Sequence, residues 1–550
     1  MDDKVIVTNL SALKSKYGAG LVKIDAALDK LIAADKKRGI EIRLVALDDA
    51  KMMKELGAPV VTNAASFKQN KDAIDGVFRA LSPDYLLILG APDIVPHQNL
   101  KNPVFQQGSD KDEFAFGDLP YACEAPYSQE PQDFRGPSRV VGRLPDVLGL
   151  GDPSYLVDLI NTAAKYKQSK PKDYLSYLGI SAEVWQKSTR ESLTNLFGNA
   201  NDLMLSPKDG PKWTAKALSN LTHFINCHGT LASFKFYGQS MEDESLFPEA
   251  HDAKHFGGKI KEGTVAAVEC CYGGELYNPS LAKGQMSISN TYLANQAYGF
   301  FGSTTIAYGP AEGNGSADLI CQFFLKHVFA GDSLGVAALA ARQEFVEAST
   351  ETDPVDLKTL AQFNLYGDPS IKPVAVETAQ TTVGKTRSAK ALADSANRGD
   401  RRRQLFNKGI FLAENHPVAR QPKVSKLTRG LRSAGGGAGV LAELQKLAAR
   451  VNLKEADVLS FDIERPAAAQ SRTRALGAPT PAAPSAFHVV MGLKPTGQTK
   501  TGAATRSVRG SKAAVKPATG DEEPPIQVVV ALVAKEVDGK IVSVRELYGK

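Results

Sequence analysis

The run VAAVECCYGG, residues 265–274, closes an apolar segment with an acid, two adjacent cysteines and a pair of glycines. A second apolar run, LTHFINCHGT at 221–230, ends in His228 and Gly229, 43 residues before Cys271. A thiol and an imidazole are the parts of a nucleophile and its base. A free thiol has a pKa of about 8.5 and is mostly protonated at neutral pH, so a neighbouring imidazole must take the proton or share an ion pair. The N–H groups of the cysteine and of the glycine after the histidine can then meet the oxyanion formed when a thiolate attacks a carbonyl.

Neighbours on a strand face opposite ways, so one cysteine packs inward while the other reaches a cleft. The caspase pattern, Q-A-C-[RQG]-G with a histidine about 50 residues upstream, laid on V-E-C-C-Y-G selects Cys271 and leaves Cys270 in a small packing position. Two other readings compete. Cys227, Cys270 and Cys271 can be core thiols, since free cysteine is among the most buried residue types. They can also join His223 and His228 around zinc, but C-x-x-C and H-x-x-x-H spacings are absent and adjacent ligands are awkward.

The elements that must position these residues form an α/β pattern. KVIVTN, IEIRLVAL and DYLLILG read as strands separated by the helix-like IDAALDKLIAADKKRG and NKDAIDGVFRAL. That alternation implies a parallel sheet covered on both faces. Residues 91–137 are rich in Gly, Pro and acids and read as a long surface loop. SRVVGRLPD follows as a strand, and a second unit opens at YLSYLGISAE and runs to about residue 373. LTHFINCHG and TVAAVECCYGG are strands of that unit with polar C-terminal ends, where open parallel sheets bind ligands. Either two α/β units lie side by side or one sheet continues through both. From about residue 376 the pattern gives way to Ala, Gly, Ser, Thr and Arg. Order returns in AFHVVMGL and IQVVVALVAKEVDGKIVSVRELYG, with Asp538 and Gly539 as a hairpin signal.

The net charge of +6 is unevenly spread. Residues 377–550 hold 29 Lys and Arg against 15 Asp and Glu, and residues 1–376 hold 37 against 45. No aromatic interleaving or finger spacing raises the basic tail above a solvated linker, so nucleic-acid binding is not expected. No apolar run approaches the roughly 18 residues of a membrane helix. The acidic start lacks the features of a signal peptide, and five cysteines make no disulfide framework. A cytoplasmic setting is the expectation.

Three further segments carry a resemblance. PDYLLILGAPDIVP at 83–96, VVGRLP at 140–145 and FNLYGDPSIKP at 363–373 occur in order around the apolar-His-Gly and apolar-Cys strands. Together they resemble the gingipain-type cysteine peptidases, relatives of caspases and legumain, over residues 4–373. The resemblance implies a caspase-like α/β fold: a smaller α/β subdomain at 1–170 and a catalytic subdomain at 171–375. A basic, largely flexible linker at 376–484 and a small β-rich segment at 485–550 complete the expected organisation.

The resemblance also implies roles. Cys271 matches the nucleophile, His228 the catalytic histidine, and Gly229, with the Cys271 N–H, the oxyanion site. Glu183 in LGISAEVW matches an acid that orients the histidine. The aspartate by which arginine-specific members recognise substrate is replaced here by Gln186 or Lys187. The lysine-specific members' acid points instead to Tyr308 and Glu312 in TIAYGPAEG. The expectation is a cysteine endopeptidase forming a thioester, acting on polypeptides without cofactor or metal. A basic residue before the cleaved bond is favoured, and NRGDRRRQLF at 397–406 is a candidate for self-cleavage. The competing expectation is a catalytically inactive scaffold that binds a regulatory protein partner through its basic C-terminal region.

Overall fold

The computed structural model describes residues 3–210, 214–376, 387–420, 422–426, 438–453, 457–464, 485–494 and 526–550, with side chains from 397 onwards in the helix Arg387–Asn415. Its centre is one ten-stranded sheet. The strands Ile42–Ala46, Lys4–Thr8, Tyr85–Leu89, Val141–Leu144 and Phe363–Tyr366 form a parallel half. Gly299–Ser303, Val265–Val268, Thr222–Asn226, Tyr177–Ala182 and Leu203–Ser206 form the other. The halves meet in the antiparallel pair Gly299–Ser303 and Phe363–Tyr366. Of the two arrangements open in the sequence, the continuous sheet is the one adopted. Because Phe363–Tyr366 crosses back to pair with the first half, a cut near residue 170 does not separate two independent cores. Strands such as Lys4–Thr8, Tyr85–Leu89 and Val265–Val268 are buried throughout, as a sheet with both faces covered requires.

Residues 91–137 depart from expectation. They are not a solvated loop: they contain the hairpin of Gln98–Lys101 with Phe114–Gly117, and Leu119, Tyr121, Cys123 and Phe134 are buried. Arg143, from the VVGRLP motif, holds the segment. Its guanidinium donates to Asp118 Oδ1 and Oδ2 at 2.6 and 2.9 Å and to the carbonyls of Gly90 and Val95, both at 2.8 Å. Burial without loss of charge needs such complete pairing. His97, an exposed loop residue by sequence, is buried against Tyr366, and burial lowers its pKa to about 4.

The tail differs too. The segment expected as a flexible linker contains the helices Arg387–Asn415 and Ala438–Arg450 and the strands Val418–Ala419, Lys423–Lys426 and Asp457–Glu464. Arg402 pairs with Asp84 at 3.0 Å and Arg401 with Asp332 at 3.0 Å, which lays the first helix across both halves of the sheet unit. The β-rich part starts before residue 485. Its sheet runs Tyr308–Gly309, Lys540–Gly549, Val529–Val537, Ser485–Leu493, Asp457–Glu464 and Val418–Ala419, with Lys423–Lys426 also on Asp457–Glu464. One of its strands, Tyr308–Gly309, belongs to the catalytic half. Asp538 and Gly539 both have positive φ, 54° and 75°, as a tight hairpin turn requires. Among the described residues, no helix is long and apolar enough to cross a membrane.

Both ends of the α/β unit are tied by a buried ion cluster. Lys4 Nζ lies 2.5 Å from Asp35 and 2.6 Å from Asp368, all three side chains being almost wholly buried. Asp368 also caps its own turn through the Ser370 N–H, so the Gly-Asp-Pro-Ser motif joins a turn to the first strand. Lys4→Met would leave two buried carboxylates facing each other and should cost about 3–5 kcal/mol. The check is the midpoint of denaturant unfolding, which should fall for Lys4→Met and stay put for the exposed Lys30→Met.

Candidate active site

Register brings the two halves of the site together. Val265–Val268 runs parallel to Thr222–Ile225, with Val268 opposite Ile225. Three residues on, each chain delivers its polar residue at the same sheet edge, Cys271 from one and His228 from the other. They are so close that a side chain at Gly229 would collide with the Cys271 carbonyl, which explains the glycine there. Cys270 turns inward: its Sγ accepts from the Cys227 N–H at 3.3 Å, and it is fully buried. Burial pushes the Cys270 and Cys227 thiols up. The inner cysteines are packing. His223 is also structural, its ring nitrogens engaged by the Tyr292 hydroxyl and the Asn220 carbonyl.

The imidazole of His228 is buried between Trp185 and Phe247, ring centroids 4.2 and 5.2 Å away. Its Nε2 is 2.9 Å from Gln239 Oε1. The amide of Gln239 is oriented by its own donation to the Glu244 carbonyl at 2.8 Å, so the oxygen faces His228. Nε2 therefore carries the proton of the neutral ring, and Nδ1 keeps a lone pair. Burial, aided by the Lys550 charge, lowers the His228 pKa to about 4.

Glu183, expected to hold this ring, does not touch it. Its carboxylate accepts from the Met241 N–H at 3.1 Å, and only its backbone reaches Gln239. The partner is a glutamine on the loop after the histidine, which no spacing rule in the sequence marked.

Cys271 is nearly buried, and its thiol donates to the Ala307 carbonyl at 3.5 Å. Burial pushes its pKa to about 12, so sulfur and imidazole are both neutral in this state. Tyr272 follows in a left-handed conformation, φ 54°. Its hydroxyl donates to Asp112 at 2.8 Å, and Asp112 also accepts from the Ile306 N–H. Asp110 accepts from the Tyr308 hydroxyl at 2.8 Å and pairs with Lys358 at 2.5 Å. Residues 91–137 thus brace the strand beside the cysteine.

That strand carries a guest from the same chain. Tyr308 and Gly309 pair antiparallel with Gly549 and Tyr548. The N–H of Lys550 donates to the Ala307 carbonyl at 3.0 Å, and its carbonyl oxygen accepts from the Cys271 N–H. No contact from the Gly229 N–H to that oxygen is found. The Lys550 ammonium lies 2.5 Å from Asp318 and 3.0 Å from Glu269, fully buried, 5.6 Å from the centre of the Trp185 ring. A side chain at Gly309 would strike it. Burial works against the charge but is outweighed by Asp318 and Glu269, so the Lys550 pKa is raised. Burial likewise raises Glu269, with Asp318 adding to it and Lys550 opposing.

The acids around this lysine are not those expected. Glu312 is at the surface, paired with Lys187, and Tyr308 contributes its backbone while its hydroxyl serves Asp110. Glu269 had a signal in the sequence, an acid inside a buried strand end two residues before Cys271. Asp318, in the first turn of the helix Ala317–Phe329, had none. Among the described residues, the one group of side chains close enough to share a metal ion is Glu249, Asp252 and His255, apart from this site.

A model of peptidase family C25 matches residues 5–374. The chain belongs to peptidase family C25. As a member of that family it is a cysteine peptidase, and it is built on a mostly parallel α/β core with an appended β-rich sheet. A solved structure described as "Structure of Protease" is similar at 14% identity, with a TM-score of 0.44, covering 67% of this chain and 78% of its own. No curated protein matches.

The His228 geometry can be read by nitrogen NMR of histidine-labelled protein. His228 should remain neutral with its proton on Nε2 down to a pH near its pKa of about 4, because burial disfavours the charged ring. Gln239→Leu should abolish the tautomer preference, and Glu183→Ala should leave it intact. The opposite pattern would restore Glu183 as the orienting residue.

Proposed function

We propose that the chain is a cysteine endopeptidase that cleaves on the carboxyl side of lysine, with Cys271 as nucleophile and His228 as base. The observation that carries this reading is the seating of Lys550. Its carbonyl oxygen lies on the Cys271 N–H, its backbone extends a strand edge, and its ammonium fills a buried hole between Glu269 and Asp318. A peptide held this way presents a carbonyl to the sulfur. Main-chain pairing to the Tyr308–Gly309 edge gives affinity, and the buried acids give specificity.

For reaction the sulfur leaves the Ala307 carbonyl and passes its proton to Nδ1 of His228. The thiolate then attacks the carbonyl carbon, and the Cys271 N–H holds the oxyanion. Collapse breaks the C–N bond, and the departing amine takes the proton from the imidazolium. The resulting thioester is hydrolysed by water, with His228 as base, releasing a carboxylate and restoring the thiol. Gln239 acts as a positioning residue by fixing the tautomer, and Gly229 lets the two backbones close together.

Continuing the antiparallel register, residues beyond the cleaved bond run toward Ile306 and Thr305. A cavity of about 590 Å³ lies there, lined by Leu231, Tyr272, Glu275, Thr304 and Thr305 among others. Room on both sides of the bond favours cleavage within chains. Self-cleavage at the arginine run is not part of this reading. Arg401–Arg403 lie within a helix and pair with Asp332, Asp84 and Asp400, whereas the cleft takes an extended strand.

On a panel of fluorogenic peptides, Lys before the bond should exceed Ala or Glu in kcat/KM by about 10³-fold or more, because a buried charged site left unpaired rejects the wrong residue strongly. Cys271→Ala should abolish turnover, and Glu269→Gln with Asp318→Asn should erase the preference. Turnover of no peptide by either the parent chain or its Lys550→Ala variant, with the thiol intact to alkylation in both, would leave the binding-scaffold reading.

A further inference from the structure

We propose that the strand Lys540–Gly549 together with Lys550 is a built-in inhibitor, occupying the substrate-acyl half of the cleft, and that its withdrawal switches the site on. This rests on the lysine-directed reading of the same pocket, and goes beyond it by assigning the pocket's resident occupant and its regulation.

Three observations carry it. First, the occupancy is complete: backbone, carbonyl oxygen and side chain of Lys550 each use a contact that a bound substrate would need. A second lysine cannot enter while this one is in place, since its side chain has no exposed surface. Second, the occupant is tethered. Lys540–Gly549 pairs along its length with Val529–Val537, which continues into the C-terminal sheet. Intramolecular ligands reach millimolar effective concentrations, enough to outcompete dilute peptides.

Third, the tether is clasped to the catalytic unit beside the cleft. Arg545 donates to Asp353 at 2.7 Å, to Asp356 at 2.6 Å and to Ser316 at 2.6 Å. Lys535 pairs with Glu351 and Lys494 with Glu244, both at 2.7 Å. These clasps join the C-terminal sheet to the helix Pro354–Gln362, the residues before it and the loop that carries Gln239. The neutral imidazole fits the same picture, because beside its burial the Lys550 charge further disfavours a proton on His228.

The test uses the full-length chain with Lys550→Ala, and independently with Arg545→Ser, which loosens the clasp without touching the pocket. Two quantities are read: the rate of iodoacetamide alkylation at Cys271, located by mass spectrometry, and turnover of a fluorogenic lysyl peptide. Removing an occupant held at millimolar effective concentration should raise both by at least about tenfold in either variant. A synthetic peptide of residues 541–550, IVSVRELYGK, should inhibit the Lys550→Ala chain competitively, and the same peptide ending in Glu should not. Unchanged alkylation and turnover in both variants, each folded by circular dichroism, would overturn the inhibitor while leaving the peptidase reading intact. Faster alkylation with no turnover of any lysyl peptide would uphold the plug and overturn the lysine-directed reading.

Discussion

The site depends on one register. Val268 lies opposite Ile225 in a parallel pair, and a shift of one residue would turn every side chain of the strand to the other face. The register is held by burial on both sides, since Val265–Val268 and Thr222–Asn226 are enclosed along their whole length. It also sorts the cysteines. The polar ends of two fully buried strands then meet at one edge with Gly229 against the Cys271 carbonyl. Nothing larger than glycine leaves the histidine and the cysteine on adjoining backbone.

Around that edge the charges are arranged by burial rather than by number. Glu269 follows the last residue of an enclosed strand and Asp318 opens a buried helix, so each lone carboxylate would pay heavily for leaving water. A single ammonium between them relieves both. Each carboxylate makes the other's charge more costly, which makes the hole a site for a cation. The same logic governs Lys4 with Asp35 and Asp368, and Lys358 with Asp110 and Asp112. In each, a buried lysine joins elements distant in the chain.

Much of this was legible in the sequence because it is repetitive. Alternating apolar strands and amphipathic helices announce a parallel sheet, and the His-Gly and Cys-Cys endings stand out against apolar runs. The partners of those residues were not legible, because they come from irregular segments whose path no periodicity sets. Gln239 sits on a loop shaped by the small sheet of His228–Gly229, Lys235–Tyr237 and Glu249–Asp252, so Glu183, nearer in pattern, drew the role. Glu312 is close in sequence to the right strand, yet the chain turns outward after Gly309 and sends it to Lys187. Residues 91–137 are polar by composition, but Asp118 faces inward to Arg143, and Asp110 and Asp112 to Lys358. The basic tail has a solvated composition, yet Arg398, Arg401 and Arg402 lie along a helix that finds Asp3, Asp84 and Asp332 on the α/β unit.

A nucleophile pair held neutral by burial is a poor reactant, and here the residue seated on the Cys271 N–H ends a strand whose own pairing lies elsewhere. The strand Lys540–Gly549 gains its stability mainly from the C-terminal sheet, while it meets the catalytic unit through its last residues on Tyr308–Gly309 and through the Arg545 side chain. The interactions that hold the strand folded are therefore largely separate from those that hold it in the cleft. An element so divided can leave the site without unfolding, which is the physical requirement for a reversible switch. The free energy that decides its position resides in a few contacts, the Arg545 clasp and the buried lysine.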